Sequence, residues 1–228
     1  SGWARATDHL SLRSNWYRTG ARLNTIPTFG DGRRMRIGLL GGSFNPAHEG
    51  HLQLARRALR SLRLDQVWLM VSPGNPLKPK AGMGPFRARL ASAQRLSDGR
   101  HILATDIEFR LKQRYTAQTV AMLKQRFPNA SFVWLMGADG LAQFSQWKNW
   151  RGLARLVPIA VLPRPGSVPP ALHGAAASAL RAPRRPPRQS PFLFRPKGSA
   201  RTFPSAPPHL SEDRRVRNVC RSPWPPAL

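Results

Sequence analysis

The sequence predicts an α/β protein, an open parallel sheet with helices on both faces. Three observations carry that expectation. Between residues 36 and 165, short apolar runs alternate with segments of helical periodicity, the pattern of βαβ units. A glycine pair, Gly41-Gly42, stands where the first run hands over to the first helix. The chain of 228 residues is 41% hydrophobic, enough for a sizeable core, and its apolar runs fall far short of the roughly 18 residues of a membrane span.

The expected strands are Arg36–Leu40, Gln66–Val71, His101–Thr105, Ser131–Met136 and Leu156–Leu162. Between them, Glu49–Leu62 sets Leu52, Ala55, Leu59 and Leu62 at helical spacing with arginines on the opposite face. Phe86–Leu96 and Thr116–Phe127 read as helices in the same way, and no internal repeat is visible. Residues 1–34 lack sustained periodicity and close on Gly30-Asp31-Gly32-Arg33-Arg34, so they are expected to be a disordered basic extension. Met35 is then a candidate internal start, with an organellar transit peptide as the alternative. Thirteen of the 23 prolines fall after residue 165, where Arg181–Arg188 cannot hold a helix. The domain is therefore expected over 35–195, and 196–228 as a Pro/Arg-rich tail, disordered or read out of frame.

Lysine and arginine number 37 against 10 acids, a net +27. Residues 1–35 carry +4, 36–165 carry +14 and 166–228 carry +9. Charge this strong and this evenly spread points to an anionic partner. Nucleic acid is disfavoured, since no RNA-recognition, zinc-finger or helix-turn-helix signature is present and there are only 2 tyrosines. The lone Cys220 excludes an internal disulfide framework and a cysteine-rich zinc site, which suits a reducing compartment such as the cytoplasm. No sequence feature selects an oligomeric state.

The chemistry concentrates in Gly41-Gly42-Ser43-Phe44-Asn45-Pro46-Ala47-His48-Glu49-Gly50-His51, between the first strand and the first helix. Glycines at a strand's carboxyl end let backbone approach a phosphate, and the following helix points its N–H groups and positive dipole end at the same place. His48 and His51, three residues apart, can face one anion, while Gly50 leaves room for a flat base or ribose. A histidine pair can also bind metal, but no third ligand is evident, and no protein metal site is expected.

This segment resembles the HxGH nucleotidyltransferase superfamily, and the chain is similar throughout 35–166 to its bacterial nicotinate-nucleotide adenylyltransferases, whose first motif is GG(T/S)F(D/N)PxHxGH. Trp68–Lys78 is similar to that family's second strand and following loop. Thr105-Asp106-Ile107-Glu108 resembles its DxE element, and Tyr115-Thr116-Ala117-Gln118-Thr119 its (S/R)YTxxT helix start. Gly137-Ala138-Asp139 with Phe144 and Trp147 looks like GxDxxxxFxxW, and Arg164-Pro165-Gly166 like its RPG.

The resemblance implies a Rossmann-like nucleotidyltransferase fold and transfer of AMP from ATP to nicotinate mononucleotide, with Mg2+ bridging phosphates. It places His48 and His51 on the ATP phosphates as catalytic residues. Gly41, Gly42, Ser43, Phe44, Asn45, Gly50 and Lys78 would join them in phosphate binding. Thr116, Asp139 and Trp147 would bind the mononucleotide, Asp139 at a ribose and Trp147 stacked on the nicotinate ring. Each has a plainer reading: Asp139 as a helix cap, Trp147 as core, Thr116 as an N-cap, Lys78 as a solvated charge, and Asp106 with Glu108 as structural acids that hold loops or a basic neighbour. The family closes its domain on an SSTxIR-type segment that contacts ATP. Here Arg195–Pro208 stands in that place without matching it. Rival readings are a related adenylyltransferase for nicotinamide mononucleotide or pantetheine phosphate, a nucleic-acid-binding protein, and a non-catalytic nucleotide binder.

Overall fold

The computed structural model describes residues 26–74 and 81–162, together with Ala176 and the short strands at 184–185 and 201–202. In chain order the elements are β1 (Arg36–Gly42), α1 (Glu49–Leu62), β2 (Gln66–Val71), α2 (Phe86–Leu96), β3 (Ile102–Thr105) and α3 (Ile107–Arg110). There follow α4 (Thr116–Arg126), β4 (Ser131–Gly137), α5 (Ala138–Gln143), α6 (Trp150–Leu156), β5 (Ile159–Leu162), β6 (Arg184–Arg185) and β7 (Arg201–Thr202). A single 3-10 turn, Phe144–Gln146, joins α5 to the loop before α6. The strands form one sheet in the order β3-β2-β1-β4-β5-β7-β6, and every pairing is parallel.

A parallel sheet covered on both faces needs strands that are apolar at every position, because alternate residues point to opposite cores. On one face Ile37, Leu39, Trp68, Met70, Trp134 and Met136 pack with Ile107 of α3, Val120 and Leu123 of α4, Leu141 of α5 and Leu153 of α6. On the other, Leu40, Val67, Leu69, Val133 and Leu135 meet Leu52, Ala55, Ala58 and Leu62 of α1 and Ala93 of α2. Helices on both faces and the parallel pairing are as the sequence predicts. α1 and α2 have the predicted ends, and β1 and β4 run slightly further, through Gly42 and Gly137.

Several elements depart from expectation. The last expected strand begins at Ile159, because 150–156 form α6, whose Trp150, Leu153 and Ala154 turn a buried helical face to the core. α3 and α5, of four and six residues, are too short to show periodicity. α4 stops at Arg126, and Phe127, which precedes Pro128, only closes it with an N–H bond to the Leu123 carbonyl.

The expected boundary at residue 35 also moves. Ile26 is fully buried in the α4 face of the core. Arg110 donates to its carbonyl at 2.7 Å, and Arg126 donates to that of Thr28. Arg33, held by Asp31 through Nε at 2.7 Å, lies 5.2 Å from the Phe127 ring centre and 5.8 Å from that of Trp68. Residues 26–34 are thus part of the packed body. Ile26→Ala is expected to cost about 2–4 kcal/mol of stability, as for other large-to-small core changes, read as a lower urea midpoint. An unchanged midpoint would return these residues to the extension.

Candidate active site

β1 and β4 lie side by side in mid-sheet, where the strand order reverses, and ligands of open α/β sheets bind at such a switch point. Their carboxyl ends open into a cavity of about 620 Å3. His48 and His51 stand on its wall. His48, in extended backbone just before α1, caps the helix: its Nδ1 accepts the Gly50 N–H at 3.2 Å. His51 reciprocates, its Nδ1 accepting the His48 N–H at 3.3 Å, so the two imidazoles make a capping box. Their ring centres are 4.0 Å apart, and buried Phe44 packs 4.9 Å from His51. With both Nδ1 atoms accepting, each neutral ring carries its proton on Nε2. The cap therefore sets the tautomer that lets both rings donate to an anion.

The glycine pair has a steric reason beside the expected one. A Cβ on Gly41 would fall 2.5 Å from the Trp134 indole, and one on Gly42 would press on Phe44 at 3.3 Å. Trp134 thus fills the space of Gly41's missing side chain and forms part of the cavity wall. Asn45 lines the cavity too, but its amide clasps the loop before α2, donating to the Gly82 carbonyl at 2.8 Å and accepting the Gly84 N–H at 2.9 Å. Ser43 is buried beside it, and neither its hydroxyl nor the Trp134 indole N–H has a hydrogen-bond partner among the described residues.

Further lining residues come from β4, α4, α5 and the segment after α5. Gly137 occupies the cap position of α5, so Asp139 is not the cap; it sits in the first turn and lines the cavity. Trp147 is both core and wall: half-buried, it meets Trp134 and Phe144 edge-on at 5.8 and 5.5 Å. Thr116 is likewise not an N-cap, a place taken by Tyr115, but the first residue of α4, at the cavity.

The cavity thus gathers Gly41, Gly42, Ser43, Phe44, Asn45, His48, His51, Thr116, Asp139 and Trp147. Gly50 does not reach it, its N–H being committed to His48. Lys78, Arg164–Gly166 and the Arg195–Pro208 segment lie outside the described residues.

Sequence reasoning passed over several lining residues. Arg114 and Lys148 are exposed cations on the wall, and their signal was adjacency, beside Tyr115-Thr116 and after Trp147. Glu108 was expected, with Asp106, to hold loops or a basic neighbour, but the two acids part company. Asp106 pairs with Arg110 at 2.6 Å, whereas Glu108 is buried at the cavity wall. Burial pushes the Glu108 carboxyl up to about 7, against the opposing effect of its hydrogen bond with Thr119. Among the described residues no three His, Cys, Asp or Glu side chains gather as a metal site, and no helix is long and apolar enough to cross a membrane.

A cytidylyltransferase-like family model matches residues 39–198. A Gluconobacter oxydans protein described as a probable nicotinate-nucleotide adenylyltransferase is 76% identical over 173 residues, which are 76% of this chain and 89% of that one. A Gluconacetobacter diazotrophicus protein of the same description is 64% identical over 171 residues, 75% of this chain and 80% of its own. The chain belongs to the nicotinate-nucleotide adenylyltransferase family. In fold it is similar to Plasmodium falciparum nicotinic acid mononucleotide adenylyltransferase complexed with NaAD, at a TM-score of 0.51 and 18% identity over 58% of this chain and 66% of that one. The expected nucleotidyltransferase fold is therefore the observed one.

Glu108 gives the family cavity a pH signature. Its folded-state value, about 7, lies above the 4.5 of an ordinary glutamate, so the native state holds the proton more tightly. Its stabilising effect is complete below pH 4.5 and is lost as pH rises towards 7. Glu108→Gln should match the parent near pH 4.5 and exceed it at pH 8, by on the order of 2–3 kcal/mol. Urea midpoints across that range provide the check; parallel curves for the two proteins would refute the assignment.

Proposed function

We propose that this enzyme transfers the adenylyl group of ATP to nicotinate mononucleotide, giving deamido-NAD and pyrophosphate. The observation that carries the reading is the shared cavity, lined by the histidine capping box together with Asp139, Trp147 and Thr116. The histidines suit a polyphosphate, and the other three a nucleoside with a flat ring. An oxygen of the mononucleotide phosphate attacks the α-phosphorus of ATP, the bond to the bridging oxygen breaks, and pyrophosphate leaves with the electron pair. No proton need be removed from a phosphate already ionised, so catalysis is positioning and charge stabilisation.

In this reading His48 and His51 donate through Nε2 to phosphate oxygens on which charge develops, and Lys78 reaches a substrate phosphate. Gly41 and Gly42 leave the backbone accessible, while Ser43, Phe44 and Asn45 shape the phosphate side, Asn45 by its clasp on the loop before α2. Gly50 contributes its N–H to the cap on His48. Asp139 takes a ribose hydroxyl, Trp147 stacks on the pyridine ring and Thr116, at the start of α4, meets the acceptor's carboxylate. A Mg2+ ion carried on ATP would supply positive charge to offset that of the phosphates. The residues present suit an ion carried on ATP, since Asp139 is a carboxylate on the cavity wall that would help to hold it, and Mg2+ commonly takes one or two carboxylates with phosphates and water. Nucleotides are the partners in this reading, with no role for nucleic acid or membrane, and the compartment is the cytoplasm.

Purified protein supplied with ATP, Mg2+ and either mononucleotide should release pyrophosphate faster with nicotinate than with nicotinamide. Failure to turn over either would remove the proposal. His51→Ala should lower kcat about 10²–10³-fold, the scale of losing one transition-state donor. Trp147→Ala should instead raise KM for the mononucleotide more than KM for ATP. Equal effects on both KM values would relegate Trp147 to the core.

A further inference from the structure

Arg89 is the most deeply buried charge in the described molecule, 2% exposed, and it does not line the cavity. Among the described residues it has no carboxylate partner. Its guanidinium instead gathers four backbone carbonyls from three segments. Nε donates to Gly84 at 2.9 Å. One terminal nitrogen donates to Ser43 at 2.7 Å and Ser72 at 2.8 Å, and the other to Pro73 at 3.3 Å. The Phe86 ring covers the guanidinium at 5.5 Å. These carbonyls belong to the loop after β1, the loop after β2 and the approach to α2.

A trans peptide is planar, so its N–H points opposite to its C=O. Two of the four carbonyls precede Pro73 and Pro85, which have no N–H to direct. The other two precede Phe44 and Gly74, both of which line the cavity. Drawing the Ser43 and Pro73 oxygens inward to Arg89 turns the Phe44 and Gly74 N–H groups outward, to the cavity side. Neither N–H has a hydrogen-bond partner among the described residues. The same helix reinforces the loop one turn on, where the Ser92 hydroxyl accepts the Ala47 N–H at 3.0 Å.

We infer that Arg89 is a positioning residue of the phosphate site: from behind the two loops it aims the Phe44 and Gly74 backbone N–H groups at the polyphosphate of the nucleotide. The inference rests on the adenylyl-transfer reading only for the identity of the anion. A guanidinium suits the task because one planar fork serves several carbonyls in fixed directions, which an ammonium on a flexible stem cannot do. Its charge, which no carboxylate among the described residues neutralises, adds a positive field beneath the phosphates.

The test is amide NMR of the 15N-labelled protein titrated with inorganic pyrophosphate, alongside steady-state kinetics. In the parent, the Phe44 and Gly74 amides should shift on saturation together with the His51 ring signals. In Arg89→Lys those two shifts should fall to less than half while the His51 response persists. KM for ATP should rise at least tenfold, with KM for the mononucleotide within about twofold. A His51 response without Phe44 or Gly74 shifts in the parent overturns the inference and leaves the proposed function standing. Absence of any response, His51 included, removes both. Should Arg89→Lys lose only thermal stability and keep its KM for ATP, Arg89 is a packing residue and the inference fails. If that variant does not fold, Ser92→Ala, which frees the Ala47 N–H from the same clasp, must raise KM for ATP severalfold or the inference fails.

Discussion

The site depends on β1 and β4 lying in contact yet sending their chains away in opposite senses. β1 continues into the loop that carries the histidines and returns through α1 to β2 on one side, while β4 continues through α5 and α6 to β5 on the other. The two connections leave the boundary on opposite sides, and a cavity opens there. The strands are locked at that point by Trp134 seated against Gly41. A side chain on Gly41 would displace the indole, and with it the partner against which Trp147 packs. One missing side chain thus positions two of the aromatic rings that line the cavity.

The two histidines show how a capping requirement and a chemical one coincide. A helix start leaves N–H groups without intrahelical partners, and serine, threonine or aspartate usually supply the acceptor. Histidine is an unusual choice that carries a consequence the others lack: accepting at Nδ1 fixes the proton on Nε2. Local helix energetics therefore select the tautomer that a phosphate site needs. A glutamine or serine could cap the helix as well, but neither would provide a ring donor at that reach.

Much of this was legible in the residues because the signals were local. β1, α1, β2 and α2 follow from apolar runs and a clear 3.6-residue period, and the glycine-histidine segment announced itself by lying between two of them. α3 and α5 were invisible because helices of four to six residues show no period. α6 was not foreseen, and the last strand was expected to open at Leu156 because Leu156 and Val157 are apolar and lead straight into it. Glu108 and Arg89 were missed for another reason. The first is distinguished by burial and the second by partners up to 46 residues away. Neither property is written in a neighbouring residue. Residues 26–34 belong here also: their packing is made by arginines of α3 and α4 reaching back to carbonyls.

Those reaching arginines give the net charge a physical meaning that its size alone does not. With 20 cations and only 6 acids between residues 36 and 165, most cations have no carboxylate to meet. Several turn to backbone carbonyls: Arg89 to four, Arg126 to Thr28 and Lys124 to Leu156 at 2.8 Å. A carboxylate partner would cancel the charge, whereas a carbonyl, being neutral, holds the side chain and leaves the charge in place. The same cations can then fasten loops and maintain a positive field that draws a polyphosphate towards the cavity. Had acids supplied these anchors, the fold could have been tied as firmly, but the field would have been lost.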